Sequence, residues 1–310
     1  MFPTSAFVSS GRLVGSAAMR RRTLGDAVSR RRALGLLGVA AGAAVLGPVA
    51  GVLASGTGTT LDLVDPTTPA DAQPLGGVGR GALIFSDEFN GSVLDSTKWT
   101  VRDEERTEPS RTDAVRWWYK PSTVRVAESN LAIDIAALGN GVYAGGRIDS
   151  HGKFAFTYGT IEFRILFPPT QGHLSAAWLQ ASGGLADGAR SAAGGAEIDL
   201  IESNFAGDEY TATVHYGGYG AGHIKSAQRV NAPGLHGHYH TIGLSWSPSV
   251  LEFRYDGMSV RTVTDPALIS TVDEFPILSH EILQWAQGSI TDAPLDRAST
   301  MYVDYVRVWQ

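Results

Sequence analysis

The sequence predicts an all-β fold, a sandwich or barrel spanning residues 81–310, on three observations. Short segments with apolar residues at every second position recur along that stretch, the pattern of strands with one packed and one wet face. Clusters of Gly, Pro, Asn and Asp punctuate them. No stretch of helical periodicity exceeds two turns, and many short strands at close spacing fit one large all-β domain.

Each element follows from its residues. Gly81 to Phe85 is a short apolar run, and in Ser122 to Ala127 the valines 124 and 126 flank Arg125. Asn130 to Ile135 places Leu131, Ile133 and Ile135 at period two. Thr160 to Phe167 is the clearest case: Ile161, Phe163 and Ile165 alternate with Glu162 and Arg164. Ala196 to Glu202 alternates acids with Ile198 and Leu200, and Tyr210 to Tyr216 alternates apolar residues with Thr211, Thr213 and His215. Leu251 to Tyr255 repeats the pattern. Met301 to Trp309 reads as a strand running to the last residues, and pairing it with early sequence would close the sandwich.

Charge divides the chain. It carries 25 Lys+Arg and 31 Asp+Glu, a net −6, which argues against nucleic acid as a partner. Seven of the arginines and only Asp26 among the acids lie in residues 1–54, which leaves 18 basic and 30 acidic residues, a net −12, on residues 55–310. The basic stretch precedes an uncharged run, Ala33 to Ala54, that ends in the small-residue pattern Val52-Leu53-Ala54. That order is an export signal cleaved after Ala54, and Ser29-Arg30-Arg31-Arg32-Ala33-Leu34 resembles the twin-arginine (Tat) type. The alternative is an uncleaved anchor helix. Residues 55–80, rich in Gly, Thr, Pro and Asp, are expected to form a flexible linker. The absence of cysteine removes disulfide frameworks, thiolate metal sites and cysteine nucleophiles.

The chemistry concentrates in Glu197-Ile198-Asp199-Leu200-Ile201-Glu202. On a strand Glu197 and Asp199 share a face, whereas Glu202, five residues on, would point the other way. A β-bulge at Leu200-Ile201 would absorb one residue and return Glu202 to the acidic face. Three crowded acids repel and raise at least one pKa, which suits general acid work near neutral pH. Retaining glycoside hydrolysis needs two carboxyls roughly 5–5.5 Å apart, one ionised and nucleophilic, the other protonated. A plain acidic strand face is the alternative.

The segment resembles the signature of glycoside hydrolase family 16, in the bulged form of its β-1,3-glucanase (laminarinase), agarase and carrageenase branches. Further pieces resemble the family in order: Phe85 to Gly91 with Leu94-Asp95 and Trp99, Gly146-Arg147-Ile148, Phe156 to Arg164, Tyr239-His240-Thr241 with Trp246-Ser247-Pro248 and Asp256-Gly257, and Val303 to Val308. The resemblance implies a concanavalin A-like jelly roll of two antiparallel sheets with a concave sugar cleft. It also implies Glu197 as nucleophile, Glu202 as acid/base, Asp199 as assisting acid and His215 beside them. Where members often carry a tryptophan this chain has Leu174, leaving Trp178 as a sugar platform, with Trp117 or Trp118 as a replacement. Arg147, Glu281 and Trp285 are expected to line the cleft. Trp99, Trp246 and Trp309 are expected in the core. The resemblance further implies a structural calcium held by Asp304 near Glu88, with no cofactor required for catalysis. His236, His238 and His240 put three imidazoles on one strand face, a pattern compatible with zinc.

These features predict a secreted retaining endo-β-glycanase that works by double displacement on a β-1,3- or β-1,3-1,4-glucan. The polysaccharide is the expected partner of a monomer that leaves the membrane once its signal is removed. A transglycosylase and a non-catalytic glucan-binding module on the same fold are the alternatives, and the −12 disfavours an anionic substrate.

Overall fold

A computed structural model of the chain describes residues 63–77, 81–106, 115–203, 207–283 and 289–310. The expected export signal, the first residues of the expected linker and Trp285 lie outside them. In chain order the strands are β1 (Leu83–Asp87), β2 (Thr100–Val101), β3 (Glu104–Glu105), β4 (Arg116–Tyr119), β5 (Val124–Ala127), β6 (Asn130–Ile133), β7 (Ala136–Gly139), β8 (Val142–Asp149) and β9 (Gly159–Leu166). They continue as β10 (His173–Ala181), β11 (Glu197–Ser203), β12 (Glu209–Tyr216), β13 (Ile224–Asn231), β14 (His240–Ser247), β15 (Val250–Tyr255), β16 (Met258–Val263), β17 (Glu274–Ile282) and β18 (Met301–Trp309).

Two sheets form a jelly-roll sandwich. One runs β16-β15-β14-β9-β18-β6-β5 with β1 also on β18; the other runs β13-β12-β11-β10-β17-β8-β4-β3 with β2 and β7 on β8. The pairing is antiparallel except between β4 and β8, which are parallel. The last strand does pair with early sequence, Leu83 opposite Trp309 and Asp87 opposite Val306. Ile161, Phe163 and Ile165 of β9 pack inward against Ile198, Leu200 and Val214 of the facing sheet in one continuous core, which also holds Trp99, Trp246 and Trp309. Burying these side chains is the main favourable contribution to folding.

Strands β8, β10 and β17 show little alternation because they are covered on both faces: every residue of β10 except Gln180 is buried, as is all of β17 except Glu281. The core lies on one side of them and a layer of large side chains on the other, among them Leu174, Trp178 and Phe275.

Residues 63–77 depart from the expected flexible linker. They lie as a strap on the outer face of the β9 sheet, where alternation leaves polar side chains that need partners. Ser86 N–H donates to the Leu63 carbonyl (3.1 Å), Asp65 N–H to Ser86 Oγ (2.8 Å) and Thr68 Oγ1 to Glu88 Oε1 (3.0 Å). Farther along, Trp309 Nε1 donates to the Ala72 carbonyl (3.1 Å), and Leu75 N–H donates to Glu162 Oε2 (2.6 Å). Low hydrophobicity made the segment read as a linker; its backbone groups are what the sheet uses.

The expected calcium is a second correction. Glu88 accepts a two-point contact from Arg307 Nε and Nη2, both at 2.8 Å, and Asp304, at a bulge in β18, accepts from Arg164 Nη1 at 2.6 Å. Guanidinium groups supply the positive charge there, so the residues present do not fit a calcium site. The zinc pattern also dissolves. His240 is held between Asp256 Oδ2 (2.7 Å) and the Gly234 carbonyl (2.9 Å), while His236 and His238 precede the strand rather than sharing its face.

Candidate active site

Strand β11 contains the bulge that the acid spacing required. Against β10, Asp199 faces Trp178 and Ile201 faces Ala177, so Leu200 is left without a partner. Against β12, Asp199 faces Thr213 and Glu202 faces Thr211: three steps on one strand match two on the other. The extra residue keeps Ile198, Leu200 and Ile201 in the core and returns Glu202 to the face of Glu197 and Asp199.

That face floors a cleft of about 570 Å³ crossed by β4, β8, β10, β11 and β17. Glu197, Asp199, Glu202, Arg147, Trp178 and Glu281 line it, as the sequence reading expected. A second hollow of about 370 Å³ adjoins it, sharing Arg147, Gln180 and Tyr219.

Each acid is held differently. Tyr219 Oη donates to Glu197 Oε2 at 2.5 Å, and Thr213 Oγ1 donates to Glu202 Oε2 at 2.9 Å. Asp199 Oδ2 lies 3.2 Å from His215 Nε2, whose other nitrogen is 2.7 Å from His223 Nε2. Burial pushes the Glu197 carboxyl up to about 7, helped by the charges of Glu202 and Glu281 and opposed by the Tyr219 hydrogen bond. Burial, with Glu197 and Glu202 beside it, drives Asp199 well above the usual carboxylate range. Burial raises Glu202 as well, against the bond from Thr213. His215 is lowered to about 4, first by burial and then by His223 and Lys225.

Asp199 is thus biased toward its protonated form and His215 toward its uncharged one. Asp199 Oδ2 is buried and has no hydrogen-bond partner among the described residues. Glu197, Asp199 and His215 place ligand atoms within 4.8 Å of one another. Strand register brings them together: Glu197 lies opposite His215, with Asp199 two residues along the same face. Chemically, the cleft offers two glutamates of raised pKa on one face, with Asp199, raised as well, between them. That set can both attack a carbon and deliver a proton.

The remaining expected residues fall on both sides. Trp178 faces Asp199 across the strand pair, donates Nε1 to Ser279 Oγ (3.1 Å) and carries the Arg147 guanidinium 4.9 Å from its ring. Glu281 accepts from the Tyr119 hydroxyl. Trp117 and Trp118 are a correction, since neither lines the cleft. Trp117 is buried with Tyr119, Tyr143 and Ile282, and half-buried Trp118 lies under the Arg116 guanidinium. The aromatic that β4 contributes to the cleft is Tyr119. It lies two residues from Trp117 and shares that residue's side of the strand.

Tyr219 and Gln180 were missed. Tyr219 sits in a glycine-rich loop where periodicity carries no information, and Gln180 is an ordinary polar residue until its register opposite Glu197 is known. Arg102 binds Asp149 through Nε and Nη2 (2.5 and 2.7 Å), Arg147 Nε lies 3.3 Å from the same carboxylate and Arg106 3.9 Å from Glu104, while Arg106 and Arg147 line the main cleft against the acids Glu197, Asp199, Glu202 and Glu281. The cleft therefore presents no surplus of positive charge.

Comparison with known proteins agrees with this geometry. Residues 111–307, more than half of the chain, match the model of the glycosyl hydrolases family 16. The glucan endo-1,3-β-glucosidase A1 of Niallia circulans is 26% identical over 79% of this chain and 39% of its own length. The keratan-sulfate endo-1,4-β-galactosidase of Sphingobacterium multivorum is 30% identical over 74% of this chain and 55% of its own. The chain thus spans about half or less of these two relatives. Among solved structures, SCLam, a non-specific endo-β-1,3(4)-glucanase of the same family, superposes with a TM-score of 0.62 at 25% identity, over 77% of this chain and 94% of that one. With a bulged acid strand, a jelly roll and a family match that all coincide on β11, the chain belongs to the glycosyl hydrolases family 16.

Proposed function

We propose that the chain is a retaining endo-β-glycanase that hydrolyses a neutral β-glucan, with β-1,3- or mixed β-1,3-1,4-linkages preferred. The single observation that carries this is the bulge that sets Glu197, Asp199 and Glu202 on one face at the floor of an open cleft. Glu197 attacks the anomeric carbon while Glu202 protonates the departing oxygen. Glu202 then takes a proton from water as water displaces Glu197, and no cofactor is needed. Asp199 sits between the two, biased toward its protonated form by burial and by the acids beside it. The choice of a neutral glucan rests on a cleft lined by Arg106 and Arg147 against Glu197, Asp199, Glu202 and Glu281, and the glucanases among the relatives support it. Export also belongs to this reading: residues 1–54 act as a Tat-like signal, checked by N-terminal sequencing of the mature protein from the medium.

The catalytic test is a panel of polysaccharides offered to the parent, Glu197→Gln and Glu202→Gln. Each variant is expected to lose at least 10³-fold in reducing-end release on every glucan the parent cleaves, in keeping with the loss of a nucleophile or a general acid. Parent-like activity in either variant excludes the mechanism. Glycan binding by the parent without release of ends would favour a binding module instead.

A further inference from the structure

The loop between β12 and β13 brings one aromatic side chain back over the cleft. Tyr219 is 60% exposed, yet its hydroxyl turns inward and is used twice. Gln180 Nε2 donates to it at 2.6 Å, and it donates to Glu197 Oε2 at 2.5 Å. A phenol has one proton. With Gln180 occupying the oxygen as a donor, that proton is directed onto the carboxylate. Gln180 itself is fixed by strand register, directly opposite Glu197. The loop is clamped rather than loose. Gly217 and Gly218 have φ of 80° and 78°; a Cβ on the first would overlap the Gly222 carbonyl oxygen, and on the second the Asp187 carboxylate. Gly188 N–H also donates to the Gly217 carbonyl at 3.0 Å.

We propose that Tyr219 is a positioning residue for the nucleophile: its hydroxyl, oriented by Gln180, holds Glu197 in its ionised attacking form and receives the charge that returns to it when the glycosyl–enzyme ester breaks. The proposal rests on Glu197 being the nucleophile. In the first step a Glu197 oxygen bonds to the anomeric carbon, and the bond to the leaving oxygen breaks with its electron pair as Glu202 supplies the proton. In the second step water bonds to that carbon, gives its proton to Glu202, and the ester electron pair goes back to Glu197. A hydrogen bond to a carboxylate is stronger than one to an ester, so the phenol favours the ionised enzyme and the second step more than the first. The other groups facing Glu197 are Asp199, Glu202, His215, Arg147 and Glu281, all present in both halves of the comparison below.

The experiment compares the full-length parent with Tyr219→Phe, Gln180→Leu and Glu197→Gln. The substrates are the glucan the parent cleaves best and an aryl β-glycoside with a good leaving group. Tyr219→Phe keeps the ring, so packing at the loop is retained. Its acidic limb of kcat/KM against pH is expected to move up by about one unit, because Glu197 has lost the bond that favours its charge. Its kcat on the aryl substrate is expected to fall about 10-fold or more with a lower KM and a visible burst, the mark of slowed ester breakdown. Gln180→Leu is expected to shift both in the same direction by less. If Glu197→Gln is inactive while Tyr219→Phe keeps the parent's acidic limb and shows no burst, the role given to Tyr219 is wrong and the nucleophile stands. If Glu197→Gln keeps parent activity, the nucleophile assignment falls and the role of Tyr219 with it.

Discussion

At the scale of single residues, the site is a cost to the fold. Glu197, Asp199 and Glu202 are all raised, chiefly by burial. A carboxyl whose pKa is higher in the folded chain than in the unfolded one binds its proton more tightly when folded. Its contribution to stability is complete below the unfolded value and is lost as pH rises through the folded one. For Glu197 that window runs from 4.5 to about 7. Glu197→Gln should therefore match the parent's stability near the bottom of the window and exceed it above the top, by on the order of 1–3 kcal/mol. Urea melts at several pH values read this directly, and a parent as stable as the variant at pH 8 would contradict it. The three acids were legible from sequence because nothing but function explains such crowding. Tyr219 and Gln180 were not, since a loop tyrosine and a strand glutamine acquire meaning only from the atoms they meet.

At the scale of elements, alternation told the truth where a strand has one wet face. Residues 160–167 and 251–255 were placed nearly residue for residue as β9 and β15, and 301–309 coincides with β18. Strands β8, β10 and β17 escaped the same test because cleft side chains bury their second face. For β8, the motif Gly146-Arg147-Ile148 was found only through family resemblance. The bulge in β11 was legible for a different reason: only an extra residue could reconcile acid spacing five apart with one shared face. It can be tested by removal. Deleting Leu200 should restore regular pairing and leave Glu197, Asp199 and Glu202 at every second position of β11, still on one face. We expect hydrolysis to survive at least in part, with destabilisation by several kcal/mol from the loss of the buried Leu200 side chain. Leu200→Ala, which keeps the residue count, should cost about 2–5 kcal/mol through the cavity it leaves while retaining activity at temperatures where it stays folded. Complete loss of hydrolysis in a folded deletion variant would show that the bulge sets the spacing of the acids and not only their face.

At the scale of the whole domain, the two sheets divide the labour. The β11 sheet carries the cleft, whereas the outer face of the β9 sheet carries the ion pairs Glu88–Arg307 and Arg164–Asp304, and Glu162 bonded to the Tyr305 hydroxyl at 2.6 Å. The strap at residues 63–77 completes that face, and periodicity carries no sign of it because its contacts come from backbone groups and from isolated polar side chains such as Asp65 and Thr68. A chain starting at Gly81 would lose the backbone donor to Glu162, the Thr68 bond to Glu88 and the acceptor for Trp309. Hydrogen bonds to charged groups contribute about 1.5–3 kcal/mol each and neutral ones about 1, less what water restores at a newly exposed surface. A net loss of about 2–4 kcal/mol would lower Tm by roughly 5–15 °C for a domain of this size. The cleft lies on the opposite sheet, so kcat well below that Tm should be unchanged, and a chain starting at Leu61 should melt with the parent. Equal Tm for the two truncated chains would mean that the strap only rests on the sheet. A fall in kcat with unchanged Tm would mean that the outer face reaches the acids through the core it shares with β11.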